Sequence, residues 1–135
     1  SEEVIRGPIV PLLKMLQKYP EYEQEVKVPE KVWPLRIWYM YEQNVCTLID
    51  VNERERKVKI RNYTDKVMFR AFGTVEDPNY NDYQEFLESR CFPESRDKMK
   101  LILKDLGLPF YDPIMIIEKT EGRMAEDDFW IRIER

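Results

Sequence analysis

Between Asp77 and Gly122, helix start and stop signals follow one another so closely that no long helix can form there. Asp77-Pro78 reads as a start, with Asp as the cap and Pro at the first helical position, where its missing N–H is no loss. Tyr83, Phe86, Leu87 and Arg90 follow at helical spacing up to Cys91. Pro93 closes that helix and opens the next, with Ser95 as its cap and Asp97 in the first turn, where a negative charge meets the positive end of the helix dipole. Met99, Ile102, Leu103 and Leu106 form the apolar stripe of this second helix. Gly107-Leu108-Pro109 is a compact stop: a left-handed residue, an apolar residue, then Pro. Asp112-Pro113 starts a short third helix over Ile114, Ile116 and Ile117, which Gly122 ends. Each helix has an apolar face, and the upstream chain is the framework on which those faces close.

Upstream, the period changes. From Leu35 to Asn62 the runs RIWYMYE, VCTLIDV and KVKIRNY are separated by Gln43-Asn44 and by Asn52-Glu53-Arg54-Glu55, which predicts an antiparallel meander of three strands. In the third run, Val58 and Ile60 alternate with Lys57, Lys59 and Arg61, as in a strand with one buried and one wet face. Val67, Met68, Phe69 and Phe72 tuck a short irregular element under the helices, ended by Gly73. At the other end, Phe129 to Ile133 alternates as a final strand or extended edge. Near the N-terminus, Ile9, Leu12, Leu13 and Leu16 fall at i, i+3, i+4, i+7 between Pro8 and Pro20, which predicts an amphipathic helix over residues 8–19 that packs on the sheet or meets a partner. Residues 20–35 then read as a surface connector. The expectation is a single α+β domain over residues 1–135: N-terminal helix and connector (1–34), strand meander (35–62), and a helical segment with a terminal strand (77–135). A chain of this length buries roughly two thirds of its unfolded surface and needs no staple.

Composition narrows the function more than any motif. Histidine is absent, which removes Ser-His and Cys-His nucleophile pairs, histidine zinc sites and the usual general base near neutral pH. Asp and Glu (26) outnumber Lys and Arg (22) for a net charge of −4, so no overall field draws the chain to phosphate backbones, and nucleic acid is disfavoured as a direct ligand. Cys46 and Cys91 lack a disulfide framework and the sequence has no apolar run of membrane-spanning length, so both thiols are expected reduced, in a cytoplasmic protein away from membranes.

Few constellations carry chemistry. Gly7, Gly73, Gly107 and Gly122 each stand alone, so no phosphate-cradling loop is present and no nucleotide cofactor is expected. The acidic run Glu126-Asp127-Asp128 lacks the alternation and distal Glu of a calcium loop, and reads as a solvated turn capping an element rather than a metal site. Lys57, Lys59 and Arg61 beside Trp38, Tyr39 and Tyr41 admit a base-stacking platform, although interspersed glutamates favour a solvated sheet face. Asp50, Glu55 and Lys57 resemble, at a tighter spacing, the Asp…Glu-x-Lys pattern of restriction-type nucleases, the one metal-dependent enzymatic alternative.

Two corners carry a family likeness: RCFPESR, with Arg90, Pro93 and Arg96, and GRMAEDDFWI, with Gly122, Asp127, Phe129, Trp130 and Ile131. A meander, a helix, an Arg-x-x-Pro-x-x-Arg corner, a second helix ending Leu-Gly-Leu, a short helix and an aromatic-Trp-Ile close together resemble the small N-terminal domain of HipA-type toxin kinases in the Firmicute-type version. The likeness runs over about residues 37–135. It implies a stand-alone, non-enzymatic accessory or antitoxin-like protein from a toxin–antitoxin or mobile-element locus, docking on a kinase-like or other toxin. No kinase catalytic residue has a counterpart here. The implied partner-binding residues are Arg90, Pro93, Arg96, Arg123, Asp127 and Trp130. The same residues also admit a purely structural role, since an Arg at a helix end satisfies carbonyls and a Trp near a terminus plugs a core. A further alternative is a phage or mobile-element inhibitor that acts on a nucleic-acid-processing complex through acidic mimicry. It requires clustered acids.

Overall fold

The computed structural model of the chain describes residues 9–11 and 25–135, with side chains from Lys27 onward. Strands β1 (Ile9–Pro11) and β2 (Glu25–Lys27) pair antiparallel as a separate two-stranded ribbon. The main sheet is antiparallel, with β3 (Leu35–Tyr41), β4 (Asn44–Asn52), β5 (Lys57–Asn62) and β6 (Phe129–Glu134) in the order β5-β4-β3-β6. Helices α1 (Tyr80–Ser89), α2 (Met99–Leu106) and α3 (Pro113–Thr120) lie between β5 and β6 in the chain, so the fold is α+β.

Three expectations change. The sheet has four strands rather than three, because the terminal segment pairs along the whole of β3, from Tyr41↔Phe129 to Arg36↔Glu134. The helix expected over 8–19 does not begin as one: Ile9–Pro11 is extended and paired, consistent with β-branched Ile9 and Val10 beside a proline that cannot donate. The remainder of that helix lies outside the described residues. The connector expected over 20–35 contains β2.

The sheet sorts its residues by parity. Leu35, Ile37 and Tyr39 of β3, Ile49 and Val51 of β4, and Ile131 of β6 join Tyr83, Phe86, Leu87, Ile114 and Ile117 in the core beneath the helices. Phe129 stacks flat on Tyr39 at 4.8 Å, and Phe86 meets the same tyrosine edge-on at 4.9 Å; such aromatic pairs add about 0.5–1.5 kcal/mol each beyond their area. A register shift between Tyr39 and Met40 carries the chain over a β-bulge. On the opposite face Trp38, Met40, Val45, Leu48 and Trp130 form a second buried cluster with Val28. Val58 and Ile60 face the helical core, as their alternation predicts.

The helix boundaries follow local hydrogen bonding. Asp112 caps α3 by accepting the Ile114 N–H at 3.0 Å, with Pro113 in the first turn, as expected. Gly107, at φ +73°, ends α2 while Leu108 N–H reaches the Leu103 carbonyl at 2.8 Å, the closure expected of Gly107-Leu108. Helix α1 starts later than expected: Asn79, not Asp77, is its cap, exchanging reciprocal bonds of 2.8 and 2.9 Å with Asp82. This capping box satisfies two donors at once, which Asp77-Pro78 cannot do. Helix α2 has no side-chain cap; Lys98, left-handed at φ +61°, stands where Ser95 was expected to act. Within the α2 stripe only Leu103 is buried, and Leu101 is 57 % exposed. Between β5 and α1, a short 3-10 turn (Val67–Phe69) sets Phe69 against Tyr41 and Phe129, while Met68 points to solvent. Among the described residues no helix is long and apolar enough to cross a membrane.

Candidate functional site

Arg90 continues the buried stripe of α1 one turn past Phe86 and Leu87, and is itself only 7 % exposed. Its guanidinium makes four hydrogen bonds. Nε donates to the Gly122 carbonyl (2.9 Å), Nη1 and Nη2 hold both carboxylate oxygens of Asp127 (2.8 and 3.0 Å), and Nη2 also donates to the Phe129 carbonyl (3.0 Å). One side chain therefore ties the end of α1 to the end of α3 and the start of β6. Asp127 in turn accepts the Phe129 N–H at 3.0 Å, so the acidic turn does cap an element. The Arg90 hydrogen bonds hold the Asp127 carboxyl below its ordinary range, against the opposing pull of partial burial.

Gly122 makes this junction possible. Its φ of +61° is left-handed, and a Cβ there would lie 3.1 Å from Ile131 Cδ1 and 3.4 Å from Arg90 Cβ. Trp130 is likewise internal: it is 1 % exposed and donates through Nε1 to the Glu42 carbonyl at 2.6 Å. Glu42, left-handed at φ +51°, also donates its N–H to the Asp128 carbonyl at 3.0 Å, so the β3–β4 turn is locked onto the entry to β6.

Pro93, Arg96 and Arg123 lie outside this lock, on a cleft of about 320 Å³. Its apolar wall is Phe92, Pro93, Ile116 and Met124, and Cys91, Thr120 and the carboxylate-bearing Glu126 also line it. Arg96 is exposed, its guanidinium 5.8 Å from the Phe92 ring centre. Arg123 reaches across the rim, over the Trp130 ring at 5.1 Å and paired with Glu121 at 3.0 Å. Tyr111 fixes the corner by donating to the Phe92 carbonyl at 2.8 Å. Burial pushes the Cys91 thiol up to about 12, so it is no nucleophile at neutral pH, and Cys46 is raised to about 11 for the same reason. Both cysteines are free thiols. Of the six residues expected to bind a partner, the fold thus brings Pro93, Arg96 and Arg123 together with the buried Arg90 around one cleft, whereas Trp130 is buried and Asp127 half-buried outside its lining. Phe92 and Met124 were not singled out from the sequence, although Phe92 sits inside the Arg-x-x-Pro corner.

The other candidate constellations are taken up by the chain itself. Both oxygens of Asp50 are held by the buried Arg36 (2.7 and 3.0 Å). Glu55 turns to Asn52 (3.2 Å) and Lys57 (3.6 Å) at an exposed turn. Among the described residues no group of three His, Cys, Asp or Glu side chains is placed to hold a metal ion. The aromatics that would have formed a stacking platform are core residues, as the favoured reading expects: Trp38 and Tyr39 are buried on opposite faces of the sheet. The basic strand covers the chain's own aromatics instead, with Lys59 over Trp33 at 5.0 Å and Arg61 over Tyr63 at 5.9 Å. No family model, curated protein or solved structure matches this chain.

Proposed function

We propose that the chain is a non-enzymatic protein-interaction module, an accessory or antitoxin-like component that docks on a kinase-like or other toxin protein. The observation that carries this reading is the cleft in which Arg96 and Arg123 flank an apolar wall held rigid from behind by Arg90. Two guanidinium groups beside Phe92 and Met124 suit an acidic protein segment carrying an apolar residue: the arginines give register and specificity, and the wall supplies the anchor. The likeness of the two corners to HipA-type N-terminal domains supplies the class of partner, and the cleft supplies its chemistry.

Co-expression with the products of neighbouring genes, followed by affinity capture and mass spectrometry, tests the reading. The expected result is a stoichiometric protein partner that is lost from a folded Arg96→Glu/Arg123→Glu variant. Recovery of nucleic acid alone, or full capture by that variant, would overturn it.

A further inference from the structure

The two outer edges of the main sheet differ. In the order β5-β4-β3-β6, the outer strands are β5 and β6. The outward edge of β6 is met by the residue that ends α3, since the Ile131 N–H donates to the Glu121 carbonyl at 2.7 Å. On β5, the bond from the Tyr63 N–H to the Cys46 carbonyl at 2.8 Å sets the phase of the ladder. Lys57, Lys59 and Arg61 therefore bond to β4 through their backbone, while Val58 and Ile60 turn their N–H and C=O groups outward. Among the described residues no group bonds to those outward groups of Val58 and Ile60. A groove of about 520 Å³ opens on this edge at the start of the strand. Its lips lie on opposite sides of β5: Trp33 meets Lys59 on the wet face at 5.0 Å, and Tyr80 packs with Val58 against the helical core. Arg56, Lys57 and Lys59 line it against one carboxylate, Asp77, a local reversal of the chain's net charge of −4.

An open edge beside a groove suits an extended chain, because an added strand satisfies the backbone groups that β5 leaves over. Charge selects which chain. Pairing of β5 with the β5 of a second copy would set like charges across from one another. A nucleic acid would satisfy the cations but bring its phosphates against the outward carbonyls of Val58 and Ile60. An acidic peptide meets both the cations and the backbone groups. In an antiparallel added strand, the residues across from Val58 and Ile60 lie on the helical side, beside Tyr80, and the alternate ones face Lys57 and Lys59 on the wet side. Lys57 reaches Glu55 at 3.6 Å across the turn, an exposed pair that a better-placed acid can displace. We propose that β5 takes up a segment of another protein as an antiparallel fifth strand of the sheet, with Asp or Glu at alternate positions against Lys57 and Lys59 and apolar residues between them. Trp33 and Tyr80 supply an aromatic contact on each of its faces. This surface is separate from the arginine cleft and stands whether or not that cleft docks a protein.

Amide NMR and hydrogen exchange on the chain test the proposal, with a short blocked peptide that alternates glutamate and valine as the probe. In the free chain the Val58 and Ile60 amides are expected to exchange fast and the Lys59 amide, bonded to β4, slowly; saturating peptide is expected to protect all three. N-methylation of the valines, whose amides point at β5, is expected to weaken binding about tenfold or more. N-methylation of the glutamates, whose amides point away, is expected to change it by no more than about twofold. Lys57→Gln/Lys59→Gln alters two exposed side chains and is expected to stay folded and to weaken binding about fivefold. The same peptide with lysine in place of glutamate is expected not to bind. Protection of Val58 and Ile60 in the free chain overturns the proposal, by showing that the edge is already covered. Absence of saturable shifts in β5, equal affinity for the lysine peptide, or tolerance of the N-methylated valines overturns it too. Saturable binding of single-stranded oligothymidylate without binding of the glutamate peptide overturns it in favour of a nucleic-acid groove.

Discussion

Arg90 and Arg96 stand at the two ends of one corner and have opposite fates. Arg90 is enclosed by Gly122, Asp127 and Phe129 and joins three elements; Arg96 lies at the surface against a single aromatic ring. The difference follows from what each helix packs against. The stripe of α1 continues through Arg90 into a core already sealed by Phe86 and Leu87, where a charge persists only with a full set of acceptors. The start of α2 has no such cover, since that helix buries Leu103 alone. One motif thus combines a rigid internal clamp with an adaptable surface arginine, and a binding site needs both: a fixed wall and a group able to reach a partner.

The sharpest way to break this comparison is to remove the clamp. Arg90→Ala leaves Asp127 and two carbonyls without their donor and is expected to cost about 3 kcal/mol, read by urea unfolding. A loss no larger than that of a surface residue would show that the clamp is dispensable. Gly122→Ala, which forces a left-handed alanine against Ile131 and Arg90, is expected to cost about 1–2 kcal/mol and to perturb Trp130 fluorescence.

Acid sharpens the comparison further. The Asp127 carboxyl is held below its ordinary value of 3.8, so its contribution is fully present above that pH and is lost as the pH falls through the lower folded value. Asp127→Asn is therefore expected to be less stable than the parent at neutral pH, with the gap closing as the solution is acidified below 3.8. A gap that stays constant with pH would remove the ion pair from the explanation. The smallest effect belongs to Arg96→Ala, expected to leave stability within about 0.5 kcal/mol while weakening capture of a partner. A large loss of stability there would make Arg96 a second clamp.

The legible parts of the fold were those written in short-range chemistry. The Asp112-Pro113 start and the Gly107-Leu108 closure stand where the sequence puts them, because a cap is settled by bonds within a few residues. The alternation of Val58 and Ile60 with lysines likewise assigns their faces correctly. Asn79 was missed because two caps competed within one turn, and the reciprocal bond with Asp82 prevails over a lone Asp. Ile9–Pro11 was missed because helical apolar spacing outweighed a β-branched pair between prolines.

The candidate site was legible as a set of residues and not as an arrangement. From the sequence alone come the kinds of element, the absence of histidine chemistry and the two corners that hold the arginines. Only the tertiary structure decides that β6 closes the sheet on β3, that Arg90 turns inward to Asp127, and that the Tyr83 hydroxyl is buried. The reason is physical: capping and periodicity are fixed by neighbours along the chain, whereas the burial of a charge or a hydroxyl depends on which distant groups the packed fold brings across from it.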